Sequence, residues 1–500
     1  MVVASERLVT MLSVFGDKSD LCCSSSASNL PLSDKKKDIV RPPNTTSLRS
    51  LAELLSFKSL ISSSTKSIHQ NLLPHDDALV APRRAPSSSS CPFSATVISN
   101  NEDLLIQILL FLPPKSLIRF QCISKQWRAL ISSTRFCRLH LQKSRTTSSS
   151  ASEAGLFLYR RIYENFELNA ISLCHDRSTA MGMITSRFVN FVGMEGEILG
   201  FHSCNGLIFI DFWWNYDIRR YYVYNPTTNQ YRLIPQPDID GKSRTTTAVN
   251  IVFDPLMSDE YRLVCVLSKV IDEEMEIGEF YFLVYSSETA VWKECTDVKT
   301  EGTDYYHFKQ GVYWNGNLYW KNGNSSLLCF DFEHNCVRKM KMTRTPSPRP
   351  PSPYLINYYF GESGGNLHLI HQFKPQPNFF HIRELELELG LGRYNSRWLL
   401  KYRVDIGALT ARYPLLVNER IAAYGNQFVL GIPYFLADKK ENKAKVMISL
   451  RGKIILHEII SGSIEELVEI EPANLQFLGY CMSFYDWKAA FKHFETLACV

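Results

Sequence analysis

The segment from Gly361 to Gly365 has the clearest chemical spacing in the chain, because it matches the G-x-S-x-G pattern of a nucleophilic serine. Such a serine is activated on a sharp turn from a strand into a helix, where its hydroxyl projects from the end of a sheet. Here the turn is followed by Leu367, His368 and Leu369, whose alternation predicts a strand. The segment therefore predicts a β-hairpin, and we expect no catalytic role for Ser363.

Acidic residues follow several apolar runs, and a propeller enzyme can gather such carboxylates at its axis. The candidates are Asp211, Asp254 and Asp331. Aspartates at such positions more often accept hydrogen bonds from nearby backbone amides in turns, which is the role we predict for them. His457-Glu458 lacks the second histidine that zinc needs, and the 13 cysteines include no C-x-x-C pair. The sequence therefore predicts no catalytic residue, no metal ligand and no cofactor.

The composition favours a globular protein and argues against nucleic-acid binding, a membrane span and secretion. Apolar residues are 45% and charged residues 21% of the 500, as in globular chains, and the net charge of +5 is too small to indicate nucleic-acid binding. No apolar run reaches the roughly 18 residues of a membrane span, and the first residues lack a secretory signal pattern. The scattered cysteines favour a reducing compartment. We expect a location in the cytoplasm, the nucleus or both.

Residues 1–95 are rich in serine and proline, with serine runs at Ser24–Ser26, Ser62–Ser64 and Ser87–Ser90. Such sequence buries too little apolar surface to offset the entropy lost on ordering. The segment therefore predicts a disordered tail.

Residues 98–144 predict a compact helical segment. Asn101 can cap a first helix, which Pro113-Pro114 ends after Leu112. The apolar spacing predicts a second helix from about Ser116 to Ile123 and a third from Ser124 to Ile131.

The first of these helices is apolar on nearly all sides, because only Gln107 interrupts the run from Leu104 to Leu112. A helix of this kind must be buried on nearly all sides, and two short neighbours cannot enclose it. Two explanations stay open. The segment is either a docking module whose apolar face is completed by a partner protein, or a cap on the following domain.

Residues 154–490 consist of short β-rich runs separated by turn signals. Asn-Gly and Gly-Asn dipeptides, which supply the positive φ angles of tight hairpins, occur in four segments: Ser203–Ile208, Tyr313–Trp320, Gly364–Leu369 and Tyr424–Val429. A second kind of strand, turn and strand unit recurs at Tyr221–Leu233, Phe282–Trp292, Leu327–Val337, Ile382–Tyr402 and Val446–His457. This irregular repeat favours a propeller of about six blades, because radial repetition protects sheet edges.

Two runs lack a hairpin partner, Leu156–Tyr163 at the start of the β-rich region and Leu475–Phe484 near its end. We expect one blade to be closed by pairing the two ends. The alternative is a peripheral C-terminal helix through Trp487, Phe491 and Phe494.

The segment from Asn101 to Trp127 strongly resembles an F-box of the plant type. It departs from the usual pattern at Asn100-Asn101, where the family has Leu-Pro or Ile-Pro, and at Gln107, where it often has Glu. The resemblance implies docking on the SKP-family adaptor of a cullin-RING ubiquitin ligase, and through it on a cullin scaffold. The residues that it implies for adaptor contact are Leu104, Leu105, Ile108, Leu109, Leu112, Pro113, Leu117, Ile123, Lys125 and Trp127.

The β-rich region resembles the F-box-associated domain of the same plant proteins. The strings that carry this resemblance are Ser203–Leu207, Tyr224–Thr228, Leu233–Pro235, Val252–Pro255 and Glu260–Val264. The expected fold class is α+β and multidomain. It comprises a disordered tail (1–95), a three-helix F-box module (98–144) and an all-β, kelch-like propeller domain (154–490).

The two resemblances imply a substrate-recognition subunit of an SCF-type ubiquitin ligase, with the β domain binding a target protein for ubiquitination. Such a subunit is not itself an enzyme. The alternative is a propeller hydrolase or lectin-like protein whose helical module is only a cap. The exposed aromatics Trp213, Trp214 and Tyr216 mark either a recognition surface or core, and the loop from Thr345 to Ser352 either a phosphorylated segment or a flexible rim.

Overall fold

The computed structural model of the protein describes residues from 101 onward, with gaps. The described ranges are 101–147, 155–162, 165–172, 182–183, 196–214, 218–239, 244–272, 277–295, 300–302, 307–322, 326–341, 355–373, 378–390, 393–414, 430–438, 442–450, 453–469, 489–498 and 500. The predicted tail, Tyr216, Trp487, the loop from Thr345 to Ser352, and the segments Tyr424–Val429 and Leu475–Phe484 lie outside these residues.

The chain divides into two compact units. The described part of the first consists of 101–112 and Phe120–Arg128, and the second consists of Pro113–Arg119 and the described residues of Ala129–Val500. The helical segment therefore contributes residues to both units.

Four helices occupy the segment before the first strand. They are α1 (Glu102–Leu109), α2 (Pro114–Phe120), α3 (Lys125–Ile131) and α4 (Thr134–Thr147). Helix α1 ends three residues before the predicted end, because Leu110 to Leu112 continue as a turn. Helix α3 ends at the predicted Ile131 but begins one residue after the predicted start, because Ser124 caps it by accepting a hydrogen bond from the Trp127 amide at 3.1 Å. Helix α4 was not predicted from the sequence.

The first three blades of the β domain are antiparallel sheets of consecutive strands, apart from one strand that comes from the other end of the chain. Blade 1 contains β25 (Ala489–His493), β1 (Gly155–Ile162), β2 (Asn165–Ser172) and β3 (Gly182–Met183). Blade 2 contains β4 (Gly196–Cys204), β5 (Leu207–Trp214), β6 (Ile218–Asn225) and β7 (Gln230–Ile234). Blade 3 contains β8 (Thr245–Phe253), β9 (Tyr261–Asp272), β10 (Ile277–Ser286) and β11 (Val291–Glu294), with β12 (Thr300–Gly302) paired to β10.

The remaining three blades have the same order of strands. Blade 4 follows a 3-10 helix (His307–Gln310) and contains β13 (Val312–Trp314), β14 (Asn317–Asn322), β15 (Ser326–Asp331) and β16 (Cys336–Lys341). Blade 5 contains β17 (Leu355–Ser363), β18 (Asn366–Phe373), β19 (Phe379–Gly390) and β20 (Arg393–Asp405), and helix α5 (Gly407–Arg412) follows it. Blade 6 contains β21 (Gly431–Asp438), β22 (Lys443–Leu450), β23 (Lys453–Glu458) and β24 (Ile464–Glu469).

The six sheets form a closed ring, because each contacts the next and blade 6 contacts blade 1 through β21 and β25. Apolar side chains fill the spaces between neighbouring blades. Between blades 3 and 4, for example, the fully buried Trp320 ring lies 5.8 Å from the Phe282 ring, measured between centroids. The predicted propeller-like domain is confirmed.

Tight turns join the first and second strands of blades 2, 4 and 5, as predicted. Asn205-Gly206, Asn315-Gly316 and Gly364-Gly365 all have positive φ angles. This conformation is easily adopted by glycine and tolerated by asparagine, so the dipeptides allow each chain to reverse within two residues.

The ring closes where the first strand of the domain pairs with its last strand. Strand β1 is antiparallel to β25, with Leu156 opposite Lys492 and Phe157 opposite Phe491. The prediction that the two ends complete one blade is confirmed, but the C-terminal strand lies further along the chain than Leu475–Phe484. The helix alternative is wrong for Phe491, which lies in β25, and for Phe494, which follows that strand in non-helical chain.

Two buried polar side chains join blades 2 and 3 to the segment that enters blade 4. The Ile251 amide donates to His202 Nδ1 at 3.1 Å, and His202 Nε2 lies 2.7 Å from the Gly311 carbonyl oxygen. Asn250 donates to the Phe308 carbonyl at 3.0 Å and accepts from the Gly311 amide at 2.9 Å. This pattern requires a neutral His202, whose Nδ1 accepts while Nε2–H donates.

We expect acid to destabilise the propeller through His202. Burial lowers the pKa of His202 from 6.5 to about 4. Below pH 6.5 the unfolded chain binds a proton that the folded chain excludes, so the stability present above pH 6.5 is lost as the pH falls towards 4. The loss from this residue is about 2 kcal/mol at pH 5. Urea unfolding at pH 7.5 and pH 5.0 measures it.

His202→Gln, which keeps a donor and an acceptor without titrating, should reduce the pH dependence. An equal loss in wild type and His202→Gln contradicts the assignment.

Removing the closing strand should open the ring. A chain that ends after Glu471 lacks β25, so β1 and the first strands of the neighbouring blades lose contacts that nothing replaces. We expect residues 96–471 to aggregate where residues 96–500 give monomer. Size-exclusion chromatography and far-ultraviolet circular dichroism compare the two, and a soluble short chain with full sheet content contradicts closure by β25.

Candidate functional site

The N-terminus of helix α1 is stabilised by a capping side chain and by two acidic residues. Asn101 Oδ1 accepts a hydrogen bond from the Leu104 amide at 3.1 Å, and Glu102 and Asp103 lie in the first turn. A capping side chain and first-turn acids each stabilise a helix N-terminus by about 0.5–1 kcal/mol. These contacts fix where the short helix starts, and therefore which of its apolar side chains face outward.

The apolar side chains of the first unit divide into buried and accessible sets. Leu105, Ile106 and Leu109 are buried. Leu104 and Ile108, which are one helical turn apart, are only partly buried, and Phe111 in the following turn is 67% exposed. We call Leu104, Ile108 and Phe111 the apolar surface of α1.

Helices α2 and α3 are held together by a contact between two aromatic rings. The Phe120 and Trp127 rings meet edge to face with centroids 5.8 Å apart, an arrangement that stabilises beyond the apolar area it buries. Trp127 is buried, while Lys125 at the start of α3 is exposed.

Ser363 lies in a hairpin and not in a nucleophile elbow. It ends β17, the Gly364-Gly365 turn follows, and β18 runs back antiparallel to β17. Its hydroxyl oxygen is 2.8 Å from the Ala437 amide, from which it accepts a hydrogen bond, and the residue is 3% exposed. The side chain therefore joins blades 5 and 6, as expected for a structural serine.

The aspartates proposed as axial candidates lie in three different blades. Asp254 accepts from the Leu256 amide at 3.1 Å, and Asp331 accepts from the Glu333 and His334 amides at 3.0 and 3.1 Å. Both are the predicted turn residues. Burial alone raises the pKa of Asp331, but its bonds with His334 and the charge of Arg338 outweigh burial and hold the pKa below the ordinary value.

Asp211 has a role that was not predicted. It forms a two-point ion pair with Arg219 across strands β5 and β6, with Arg219 Nε 2.8 Å from Asp211 Oδ1. Burial alone lowers the pKa of Arg219, yet its hydrogen bond and charge interaction with Asp211 outweigh burial, so the pKa is raised. The carboxylate is therefore engaged within blade 2, and the three aspartates do not converge.

The described residues include no group of three or more His, Cys, Asp or Glu side chains that could hold a metal ion. Within the same part of the chain, no helix is long and apolar enough to cross a membrane.

The two ends of the propeller differ in what lies on them. At one end, which we call the hairpin face, the first strand of each blade turns into the second; at the other, the loop face, the chain passes between blades. Helix α4 contacts the hairpin face, since Arg138 forms a two-point ion pair with Asp259 of the β8–β9 loop, at 3.0 and 2.8 Å. A large exposed apolar group lies at the loop-face end of blade 2, where Trp213 and Ile218 are 37% and 45% exposed.

Family comparisons agree with this two-part architecture. A family model described as the F-box domain matches residues 101–139, and one described as the F-box associated beta propeller domain matches residues 161–348. The chain carries an F-box and an F-box-associated β-propeller.

Curated relatives are named as F-box proteins. An F-box protein of Arabidopsis thaliana is 27% identical over 440 residues, which are 84% of this chain and 98% of the relative. An F-box/kelch-repeat protein of the same plant is 27% identical over 48% of this chain and 64% of its own length. F-box only protein 8 of Arabidopsis thaliana is 27% identical over 50% of this chain and 82% of its own.

Solved structures give weaker similarity. TolB from Acinetobacter baumannii has a TM-score of 0.36 at 11% identity and covers 70% of this chain and 71% of its own. A chain of the nidogen/laminin complex has a TM-score of 0.30 at 10% identity, over 64% and 94% of the two chains. Both scores are too low to bear on function.

Within the F-box, the residues implied for adaptor contact are not equally accessible. Leu105, Leu109, Leu112, Leu117 and Trp127 are buried within the chain. The others reach solvent: Leu104, Ile108 and Ile123 are partly buried, and Pro113 and Lys125 are exposed. Phe111, the most exposed large apolar side chain of the F-box, was not among the predicted contacts, although it lies in the apolar run next to the helix-ending prolines.

The F-box-associated domain uses its signature strings to join blades 2 and 3. Cys204 Sγ and Asn205 Nδ2 donate to the same Phe253 carbonyl, at 3.3 and 2.7 Å. Asn225 Oδ1 accepts from the Thr227 amide at 2.9 Å in the β6–β7 turn. These strings therefore mark structural turns.

Adjacent residues of the F-box should respond oppositely to the same substitution. Leu112 is 4% exposed and Phe111 is 67% exposed. Leu112→Lys buries a charge without a partner and should unfold the helical segment, whereas Phe111→Lys should leave it folded. Hydrogen exchange across residues 101–131 of the full chain measures this, and equal protection in the two variants contradicts the assigned burial.

Proposed function

We propose that the protein is the substrate receptor of an SCF-type, cullin-RING ubiquitin ligase. In this role the F-box binds an SKP-family adaptor, which attaches the chain to a cullin scaffold, and the propeller binds a target protein for ubiquitination. The receptor contributes binding and no catalytic residue. The observation that carries the proposal is an F-box with an accessible apolar surface, followed by a closed propeller.

The adaptor side of the proposal rests on the apolar surface of α1. Leu104, Ile108 and Phe111 are apolar side chains that retain solvent contact although buried leucines surround them in the sequence. Water contact at such side chains is unfavourable by about 25 cal/mol per Å², so covering them with an apolar partner surface is favourable. The buried leucines of α1 then act indirectly, by holding this surface in place.

The target side of the proposal rests on the loop face. The hairpin face of blades 2 and 3 carries helix α4, through the Arg138 and Asp259 ion pair, so it is covered by the chain itself. At the loop-face end of blade 2, the exposed Trp213 lies on one side of the sheet and the exposed Ile218 lies on the other, opposite Trp214. The Arg220 guanidinium lies 4.0 Å from the Trp214 ring centroid. Tryptophan and arginine are the residue types that most often dominate protein interfaces.

The expected location of such a receptor is the cytoplasm, the nucleus or both, where its adaptor and scaffold would act. We propose neither nucleic acid nor a membrane as a partner.

Adaptor docking is tested by titrating a recombinant SKP-family adaptor against the full chain. Phe111→Lys and Ile108→Lys each place a charge in the docked interface and should weaken binding at least tenfold, which is about 1.4 kcal/mol. Gln107→Lys adds the same charge at an exposed polar position of the same helix and serves as the matched control. Wild-type affinity in both Phe111→Lys and Ile108→Lys would refute docking through this surface.

Target binding is tested by affinity capture from cells in which the proteasome is blocked, followed by mass spectrometry. Proteins captured by wild type and lost with Trp213→Ala or Ile218→Asp are candidate targets of the loop face. Ile460→Asp changes an apolar residue of the β23–β24 turn, on the hairpin face, that is 61% exposed, and should retain them. If the same proteins are lost with Ile460→Asp and kept with the blade 2 variants, the loop face is the wrong surface.

A further inference from the structure

The described residues after the closing strand remain in contact with the propeller. Strand β25 ends at His493, and the described residues that follow it, Phe494–Ala498 and Val500, lie on the hairpin face of blade 2 and are called the C-terminal strap. Thr496 and Leu497 are 5% and 7% exposed, and Ala498 and Val500 pack against the apolar core between blades 2 and 3. The described residues of this short segment are therefore bound like a peptide in a groove.

One side chain makes two hydrogen bonds to the backbone of the strap. Asn225, which is fully buried, donates from Nδ2 to the Thr496 carbonyl at 3.1 Å and to the Ala498 carbonyl at 2.8 Å. Thr227, in the same turn, accepts from the Thr496 amide through its hydroxyl at 3.3 Å. Contacts with alternate carbonyls are typical of recognition of an extended backbone.

Comparison with blade 4 separates the two roles of Asn225. At the corresponding turn between its third and fourth strands, blade 4 has Asp331, whose carboxylate accepts from the two following amides just as Asn225 Oδ1 does. An aspartate is therefore sufficient to hold this turn. The additional feature of asparagine is the donating amide group, which in blade 2 is used on the strap.

The close approach at the first turn of blade 2 also depends on the strap. A Cβ atom at Gly206 would lie 2.4 Å from the Phe494 carbonyl oxygen and 2.7 Å from the Thr496 methyl carbon. Gly316 occupies the same Asn-Gly turn of blade 4 with a similar positive φ angle, and a Cβ there would meet nothing within 4 Å. Both glycines are needed for their positive φ angles, but only at Gly206 would an added side chain collide with a neighbouring segment.

The outer side of the strap touches two helices. Glu495 pairs with Lys115 of α2 at 2.6 Å, and Cys137 of α4 donates from Sγ to the Leu497 carbonyl at 3.6 Å. Both helical residues belong to the same compact unit as the propeller. The strap thus lies between blade 2 on one side and residues of α2 and α4 on the other.

We propose that blade 2 contains a binding site for an extended peptide, occupied in cis by the C-terminal strap, and that the bound strap holds helix α4 on the hairpin face. Asn225 and Gly206 form the site, the first by its donating amide and the second by its lack of a side chain. This inference does not depend on the adaptor or on the target.

The test is hydrogen exchange with mass spectrometry on the full chain, comparing peptides that cover 494–500 and 134–147. Asn225→Asp keeps the turn and removes the donor, so exchange in the strap should accelerate about tenfold, and exchange in α4 should rise with it. Gly206→Ala should act in the same way by displacing the strap. Blades 4 to 6 should be unchanged in both variants.

Gly316→Ala is the control for backbone strain, and Asp331→Asn is the control for the turn; neither should alter exchange in the strap. If Asn225→Asp and Gly206→Ala leave the strap protected, the binding site is refuted. If the strap is released while α4 keeps wild-type protection, its role in holding the helix is refuted. If Gly316→Ala releases the strap as Gly206→Ala does, the effect is general strain and the steric argument fails.

Discussion

The pairing of β1 with β25 is the constraint on which the rest of the structure depends. Each blade buries its faces against its two neighbours, so a ring with a missing strand exposes apolar side chains and unpaired backbone groups at the gap. In this chain the closing blade combines one strand from the start of the domain with one from its end. Closure therefore fixes the position of both helix α4, which precedes β1 in the same compact unit, and the strap that follows β25.

The two ends of the propeller have become different surfaces as a result. Because β1 starts and β25 ends on the hairpin face, helix α4 and the strap both lie there. Arg138 joins α4 to blade 3, Asn225 joins the strap to blade 2, and Cys137 joins α4 to the strap. The loop face carries the connections between blades instead. Loops on a rigid scaffold commonly carry variable recognition residues, and the loop face offers such positions.

Features with a strong local cause were predictable from the sequence. The Asn-Gly turns at Asn205 and Asn315 need positive φ angles that few other dipeptides supply, and Asn101 caps the first helix at the predicted start. Features that depend on distant residues were not. Helix α4 has few apolar positions of its own and packs through contacts such as Cys137 with Leu497, which lie 360 residues apart in the chain.

The same distinction applies to the candidate site. The apolar run shows that most side chains of α1 must be buried, but it does not show which of them are buried within this chain. In the structure Leu105 and Leu109 are buried, whereas Phe111 is exposed. Similarly, Asn225 belongs to a string that resembles the F-box-associated domain, but its contact with the strap depends on a segment from the far end of the sequence. Local pattern specifies a turn, whereas the partner of its side chain is set by the closed ring.

Closure by the last strand has a consequence for how the protein is made. A ribosome that adds about 5–20 residues per second needs on the order of 20 to 70 s to pass from Gly155 to Ala489, and during that time β1 has no partner on its inner edge. The F-box emerges before the propeller can close, so its apolar surface and an open sheet edge coexist on the nascent chain. Both surfaces are prone to aggregation until the final strand arrives, so the late step of synthesis is where the chain most needs chaperones.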